Sequence, residues 1–246
     1  MQDPADNARK AINVSSDSTL GRVEASNLAV YSDGIAPVSS VVAVPAANAS
    51  GWNNGRVALT LSASDLRNGM TSELPGWVDR IHYSLSGAHA VSEQLISGQP
   101  ASIDVTAPGV TNLDYWATDA AGNDEAARSL TIRIDPTAPV VEGMPASCAL
   151  SSASNSMVQV VQISAFDALS GVVPGSFRVT ATSSDPSDPN SPDVSISQSG
   201  ANSFTVSVRA AKLNPGPARV YTISASAQDL AGNSRTVSAN CVVTDP

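Results

Sequence analysis

The stretch YWATDAAGNDEAARSLTIRIDPTAP, residues 115–139, reads as two β-arms around a tight turn with a proline-bounded exit. Tyr115 and Ala117 share one parity with Leu113 just before them, while Asp119, Gly122 and Asn123 supply the turn chemistry. The phrase returns at 224–246 as SASAQDLAGNSRTVSANCVVTDP, with Asp229, Gly232 and Asn233 in the same places. A blurred copy, NVSSDSTLGRVEASNLAVYSDGIAP, occupies 13–37, with Asp17 and Gly21 at the turn. LTLSASD at 59–65 likewise echoes VQISAFD at 161–167. A period of about 100 residues is the length of a β-sandwich module and too long for a solenoid repeat.

Period-2 alternation supplies the strands between the copies. VSSVVAV (38–44), RVALTLSAS (56–64), DRIHYSL (79–85), a short strand near 92–96, ASIDVT (101–106), NLDYWAT (112–118) and SLTIRI (129–134) make seven. Turn signals at Asn54-Gly55, Asn68-Gly69, Ser86-Gly87 and Pro108-Gly109 separate several of them. Seven short strands in about 100 residues predict an immunoglobulin-like sandwich. The expected fold is therefore all-β, a tandem of seven-stranded immunoglobulin-like β-sandwiches at 34–136 and 137–246. Residues 1–33 hold only the last hairpin of a preceding module, and the polar opening MQDPADNARK reads as a start cut from a longer precursor. In the second module MVQVVQISAF carries apolar residues on both parities, which predicts a bulge or an edge. SDPSDPNSPD (184–193) is expected to be an exposed loop.

Composition narrows the function classes. A net charge of −9 with only 13 Lys plus Arg repels phosphate backbones, so a nucleic-acid partner is not expected. No apolar run reaches membrane-spanning length, so no insertion is expected. Cys148 and Cys241 fit either one disulfide formed in an oxidising compartment or two inert buried thiols. Their places in the first and last strands of one module favour the bridge.

GWNNGRVALTLSASD…VDRIHYSLSG…YWATDAAGN…LTIRIDPTAP resembles the bacterial immunoglobulin-like repeats of large secreted and cell-surface proteins. The second module, CAL…SGVVPGSFRVTATSSDP…RVYTISASAQDLAGN…C, is similar to a sister group that includes hyalin-repeat-like domains. The resemblance spans 34–246 and implies an extracellular spacer or adhesive module. Trp77 and Trp116 depart from the commoner pattern.

Motifs for chemistry are sparse. His82 and His89 adjoin no nucleophile motif, and no nucleotide-binding glycine loop occurs. With both cysteines in a bridge there is no zinc set. No enzymatic activity and no required cofactor are expected. The aspartates carry more. Asp65 and Asp119 end the second and sixth strands of the first module, Asp167 and Asp229 those of the second, and the linkers bring Asp33 and Asp135 to the same poles. Each carboxylate could cap amides of its own turn, or three together could hold calcium at a junction. On the outward parity of the third, sixth and seventh strands stand Arg80, His82, Trp116 and Arg133. Such a face could bind a sugar or a surface protein, or be covered by a neighbouring module of the same chain. The reading is a secreted or surface-anchored bacterial spacer, stalk or adhesin segment. The alternative is a carbohydrate-binding accessory region of a secreted hydrolase.

Overall fold

The computed structural model describes residues 10–17, 22–30, 33–65, 77–97, 100–152, 156–185, 192–211 and 217–244, with only the backbone described through residue 30. Gly21, Asn68 and Gly69, used above as turn signals, lie outside these residues. The described residues form β-strands and no α-helix, and no helix is long and apolar enough to cross a membrane. The chain is all-β, built of tandem immunoglobulin-like sandwiches. It divides into two units: residues 1–46 with 56–132, and residues 47–55 with 133–246.

Strands β1 (Lys10–Asp17) and β2 (Arg22–Val30) pair antiparallel in a sheet of their own, with register shifts around Asn13. Next come β3 (Val38–Val44), β4 (Val57–Ser64), β5 (Val78–Gly87), β6 (Val91–Ile96), β7 (Ala101–Val105), β8 (Gly109–Asp119) and β9 (Arg128–Ile134). They make one sheet ordered β3-β4-β7 and another ordered β6-β5-β8-β9. Alternation decides which side chains meet between them. Val57, Leu59 and Leu61 of β4 are buried, as are Ile81 and Leu85 of β5 and Leu113, Tyr115 and Ala117 of β8. Truncating one of these leucines to alanine costs about 2–5 kcal/mol, since a cavity adds to the lost transfer energy.

Two polar side chains finish the start of β3. The amide of Ser39 donates to Glu125 Oε2 at 2.9 Å, and its carbonyl accepts from Arg128 at 2.8 Å. Glu125 and Arg128 also pair with each other at 3.0 Å. They supply partners for backbone groups that the edge strand would otherwise present to another chain.

The second unit has β10 (Val140–Glu142), β11 (Cys148–Ser151), β12 (Met157–Phe166), β13 (Arg178–Ser183), β14 (Val194–Gly200), β15 (Ser203–Arg209), β16 (Arg219–Gln228) and β17 (Ser234–Thr244). The opening strand is split between sheets: β10 joins β10-β12-β15-β14, and β11 joins β11-β17-β16-β13. Gly143 makes the crossing. Its φ is +87°, and a Cβ there would stand 2.0 Å from the Gln162 carbonyl oxygen. No other residue fits both conditions.

The fourth strand pairs differently in the two units. The short link from Gly87 to Val91 closes a hairpin, so β6 pairs with β5. In the second unit β14 pairs with β15 through a turn at Ala201 and Asn202, and residues 186–191 of the expected loop lie outside the described residues. The expected bulge in β12 is present, as the register against β15 shifts between Gln159 and Val161. That shift moves Val161, Ile163 and Ala165 onto the buried face.

Cys148 and Cys241 are direct partners on the parallel strands β11 and β17, and they form a disulfide. One part of the loop reading needs correction. Asp193, expected exposed, is 6 % accessible because the buried Arg219 guanidinium pairs with it. Arg219 further donates to Ser183 Oγ (2.8 Å) and to the carbonyls of Ala211 (3.1 Å) and Asp185 (3.0 Å). It also lies over the Tyr221 ring, 4.8 Å from the centroid.

Candidate functional site

The turn after β8 and the turn after β16 are the same object. Asp119 N donates to Asn123 O (3.2 Å) and Gly122 N to Asp119 O (3.3 Å); Asp229–Asn233 and Gly232–Asp229 repeat this at 3.0 and 3.2 Å. Gly122 and Gly232 have φ of 89° and 97°, the left-handed region where glycine carries no Cβ penalty. The turn aspartate closes each loop from inside. Asp119 Oδ1 accepts the amides of Ala121 (2.9 Å) and Asn123 (2.8 Å), and Asp229 Oδ1 accepts that of Asn233 (2.8 Å).

The turn asparagine then reaches outward to the chain entering its unit. Asn123 Nδ2 donates to Asp119 Oδ2 at 2.7 Å and to the carbonyl of Asp33 at 3.0 Å. Asn233 Nδ2 donates to Asp229 Oδ2 (2.8 Å) and to the carbonyls of Asp135 (2.8 Å) and Thr137 (3.0 Å). One carboxamide thus ties the end of the sixth strand to the segment leading into the first.

The six aspartates meet in two triads. Carboxylate oxygens of Asp33, Asp65 and Asp119 lie within 4.8 Å of one another, and so do those of Asp135, Asp167 and Asp229. Asp65, Asp119, Asp135 and Asp229 are buried. Capping is also realised. Asp33 Oδ1 accepts Ile35 N at 3.2 Å. Asp167 Oδ1 accepts the amides of Leu169 (3.1 Å), Ser170 (2.9 Å) and Gly171 (2.8 Å). Asp135 takes Thr137 through its amide and hydroxyl on Oδ1, and Ser170 likewise on Oδ2. Burial pushes the Asp135 carboxyl upward, but the bonds from Ser170 and Thr137 outweigh it and leave it below the ordinary value.

The outward face of β6-β5-β8 carries the other candidates. His82 stands directly opposite Trp116, their rings stacked at 4.7 Å and 13°. Leu95 of β6 is the partner of His82 on its other side and is 58 % accessible. Trp116 is half-buried, with one ring face against His82. Arg80 is exposed and bonds its neighbour Asp79. Arg133 is exposed on β9, the strand next to β8 in this sheet.

Three residues the sequence reading passed over join His82. Nδ1 lies 2.9 Å from Glu93 Oε1, Nε2 lies 2.9 Å from Thr118 Oγ1, and that hydroxyl donates to Asp124 at 2.7 Å. Carboxylate, imidazole and hydroxyl follow the order of a hydrolase triad. Thr118 nonetheless directs its hydrogen at Asp124 and not at the imidazole, which is the wrong orientation for an activated nucleophile. The period-2 pattern set these side chains on one face, but only the pairing of β5 with β6 brings Glu93 across.

No protein-family model matches the chain, and no curated protein matches it. Among solved structures it is similar to fibronectin(III)-like modules of Clostridium thermocellum CbhA (14% identity, 84% of this chain and 95% of that chain, TM-score 0.32). It is also similar to the D00-D0 domain of intimin (13% identity, 85% and 100%, TM-score 0.38). A titin fragment aligns at 11% identity over 86% of this chain and 100% of that one, with a TM-score of 0.35.

Proposed function

We propose that this chain is a segment of a secreted or surface-exposed bacterial protein, serving as a non-catalytic spacer, stalk or adhesin segment. The carrying observation is that each unit grips its own entering chain: Asn123 holds Asp33, and Asn233 holds Asp135 and Thr137. A tether between modules needs such a grip where tension enters. The disulfide supports an oxidising, extracellular setting. Within this class the second unit reads as hyalin-repeat-like, and the partners are neighbouring modules of the same chain and a surface protein or glycan. Calcium is the occupant we assign to the two triads. Three carboxylates so close repel one another, and calcium takes carboxylate and carbonyl oxygens.

Stretching single molecules of the whole chain from its ends tests the spacer reading. The expected trace shows two unfolding events, and Asn123→Ala with Asn233→Ala lowers the force of each. Unfolding at unchanged force in the double variant would remove the grip from the account.

A second reading, a carbohydrate-binding accessory region of a secreted hydrolase, is favoured by the outward row Leu95, His82 and Trp116. Its test is retention on immobilised polysaccharides, which Trp116→Ala should abolish. Equal elution of both proteins ends that reading.

A further inference from the structure

We infer that His82 is a proton-operated latch on the turn that follows β8. A hydroxyl has one hydrogen to give, and an ionised carboxylate has none. Thr118 gives its hydrogen to Asp124 at 2.7 Å, so the 2.9 Å contact between Thr118 Oγ1 and Nε2 needs a hydrogen on Nε2. Glu93 can only accept, so the 2.9 Å contact at Nδ1 needs a second hydrogen there. All three bonds coexist only around an imidazolium, and the stacked Trp116 ring offers its face to that cation.

The charged groups around the ring come from three elements. Glu93 approaches from β6, and Asp124 acts from the turn through Thr118 of β8. On β5 itself the next outward residue, Arg80, is bonded to Asp79. Leu95, the partner of His82 on β6, is apolar.

When the ring gives a proton to water, one of the three bonds is lost. Removing the hydrogen from Nδ1 would set a lone pair against the Glu93 carboxylate. Removing it from Nε2 costs less, because the Thr118 hydroxyl can turn and donate to the ring. That turn releases Asp124. Asp124 bridges Thr118 through the backbone and directly follows Asn123, whose side chain holds Asp33. Protonation therefore closes the latch on the gripping turn, and deprotonation opens it.

The test is an NMR titration of the whole chain, following the His82 ring nitrogens and the amides of Asn123 and Asp124. Nε2 should lose its proton while Nδ1 keeps its own, and both amides should shift with the same midpoint as the ring. In Thr118→Val the ring should still titrate while the two amides no longer follow it. Asp124→Ala, which removes the acceptor and leaves Thr118, should silence Asn123 in the same way. The inference is overturned if the wild-type amides ignore the ring. It is equally overturned if they follow the ring unchanged in either variant, or if Nδ1 is the nitrogen that deprotonates.

Discussion

Asn233 and Asp135, 98 residues apart in sequence, are joined by one hydrogen bond of 2.8 Å from carboxamide to backbone carbonyl. Asn123 and Asp33 repeat it at 3.0 Å across 90 residues. The two units differ in where their fourth strand pairs and in whether their first strand is split, yet this bond is the same. It connects the turn chemistry of a short motif to the segment that enters each unit, and the functional account is built on it.

The disulfide should stabilise one unit only. Closing the 93-residue separation between Cys148 and Cys241 contributes about 4–5 kcal/mol in the chain-entropy model. Denaturant unfolding with and without reductant should show one transition moving and the other staying. Two transitions that move together would contradict separate folding of the units.

Asp193 should matter far more than its place in a proline-rich loop suggests. Its partner Arg219 has no side-chain exposure, so Asp193→Ala leaves a buried cation unpaired and should cost about 3–5 kcal/mol. Arg56→Ala breaks a pair whose side chains are 61% and 52% exposed, and should cost at most about 1 kcal/mol. Chemical denaturation of both variants checks the contrast.

Burial pushes the Tyr221 phenol up to about 12 from 10.0, with Arg219 partly opposing the rise. The folded state thus favours the neutral phenol. That contribution is fully present below pH 10 and is lost as the pH rises toward 12. The second unit should weaken across this window, and Tyr221→Phe should flatten the loss. The variant also gives up the 3.0 Å bond to the Arg209 carbonyl, which costs about 1 kcal/mol at neutral pH.

Most of this fold was legible because alternation and turn residues are local. Leu113, Tyr115 and Ala117, which share one parity, are buried together, and the two-parity run in β12 did mark a bulge. The convergence of the six aspartates was legible too, since it follows from strand direction and a repeat. Contacts set by packing between distant strands were not. Arg219 looks like any strand arginine until Ser183, Asp185 and Asp193 close on its guanidinium. Glu93 and Asp124 reach His82 and Thr118 only through hairpin register and the curl of a turn. Asn123 and Asn233 were visible as turn residues, but nothing local says that the carboxamide reaches the segment entering each unit.

Calcium should raise the melting temperature of the chain over that in chelator. At a hundredfold excess over its dissociation constant the gain is about 2.7 kcal/mol for one site. Asp167→Asn should remove the part belonging to the second unit. Superimposable melts in the two buffers would leave the triads as amide caps alone.

The most direct measurement of the grip is native-state hydrogen exchange on the whole chain, comparing wild type with Asn123→Ala and Asn233→Ala. The amides of Ile35 and Thr137 bond to Asp33 and Asp135 in the gripped segments. The account predicts that Asn123→Ala speeds exchange at Ile35 and Asn233→Ala at Thr137, about 5- to 30-fold for a lost bond of about 1–2 kcal/mol. The central strand amides of Leu59 and Ile223 should keep their protection at short times. Unchanged exchange at Ile35 and Thr137 in both variants would contradict the claim that these asparagines hold the entering chain.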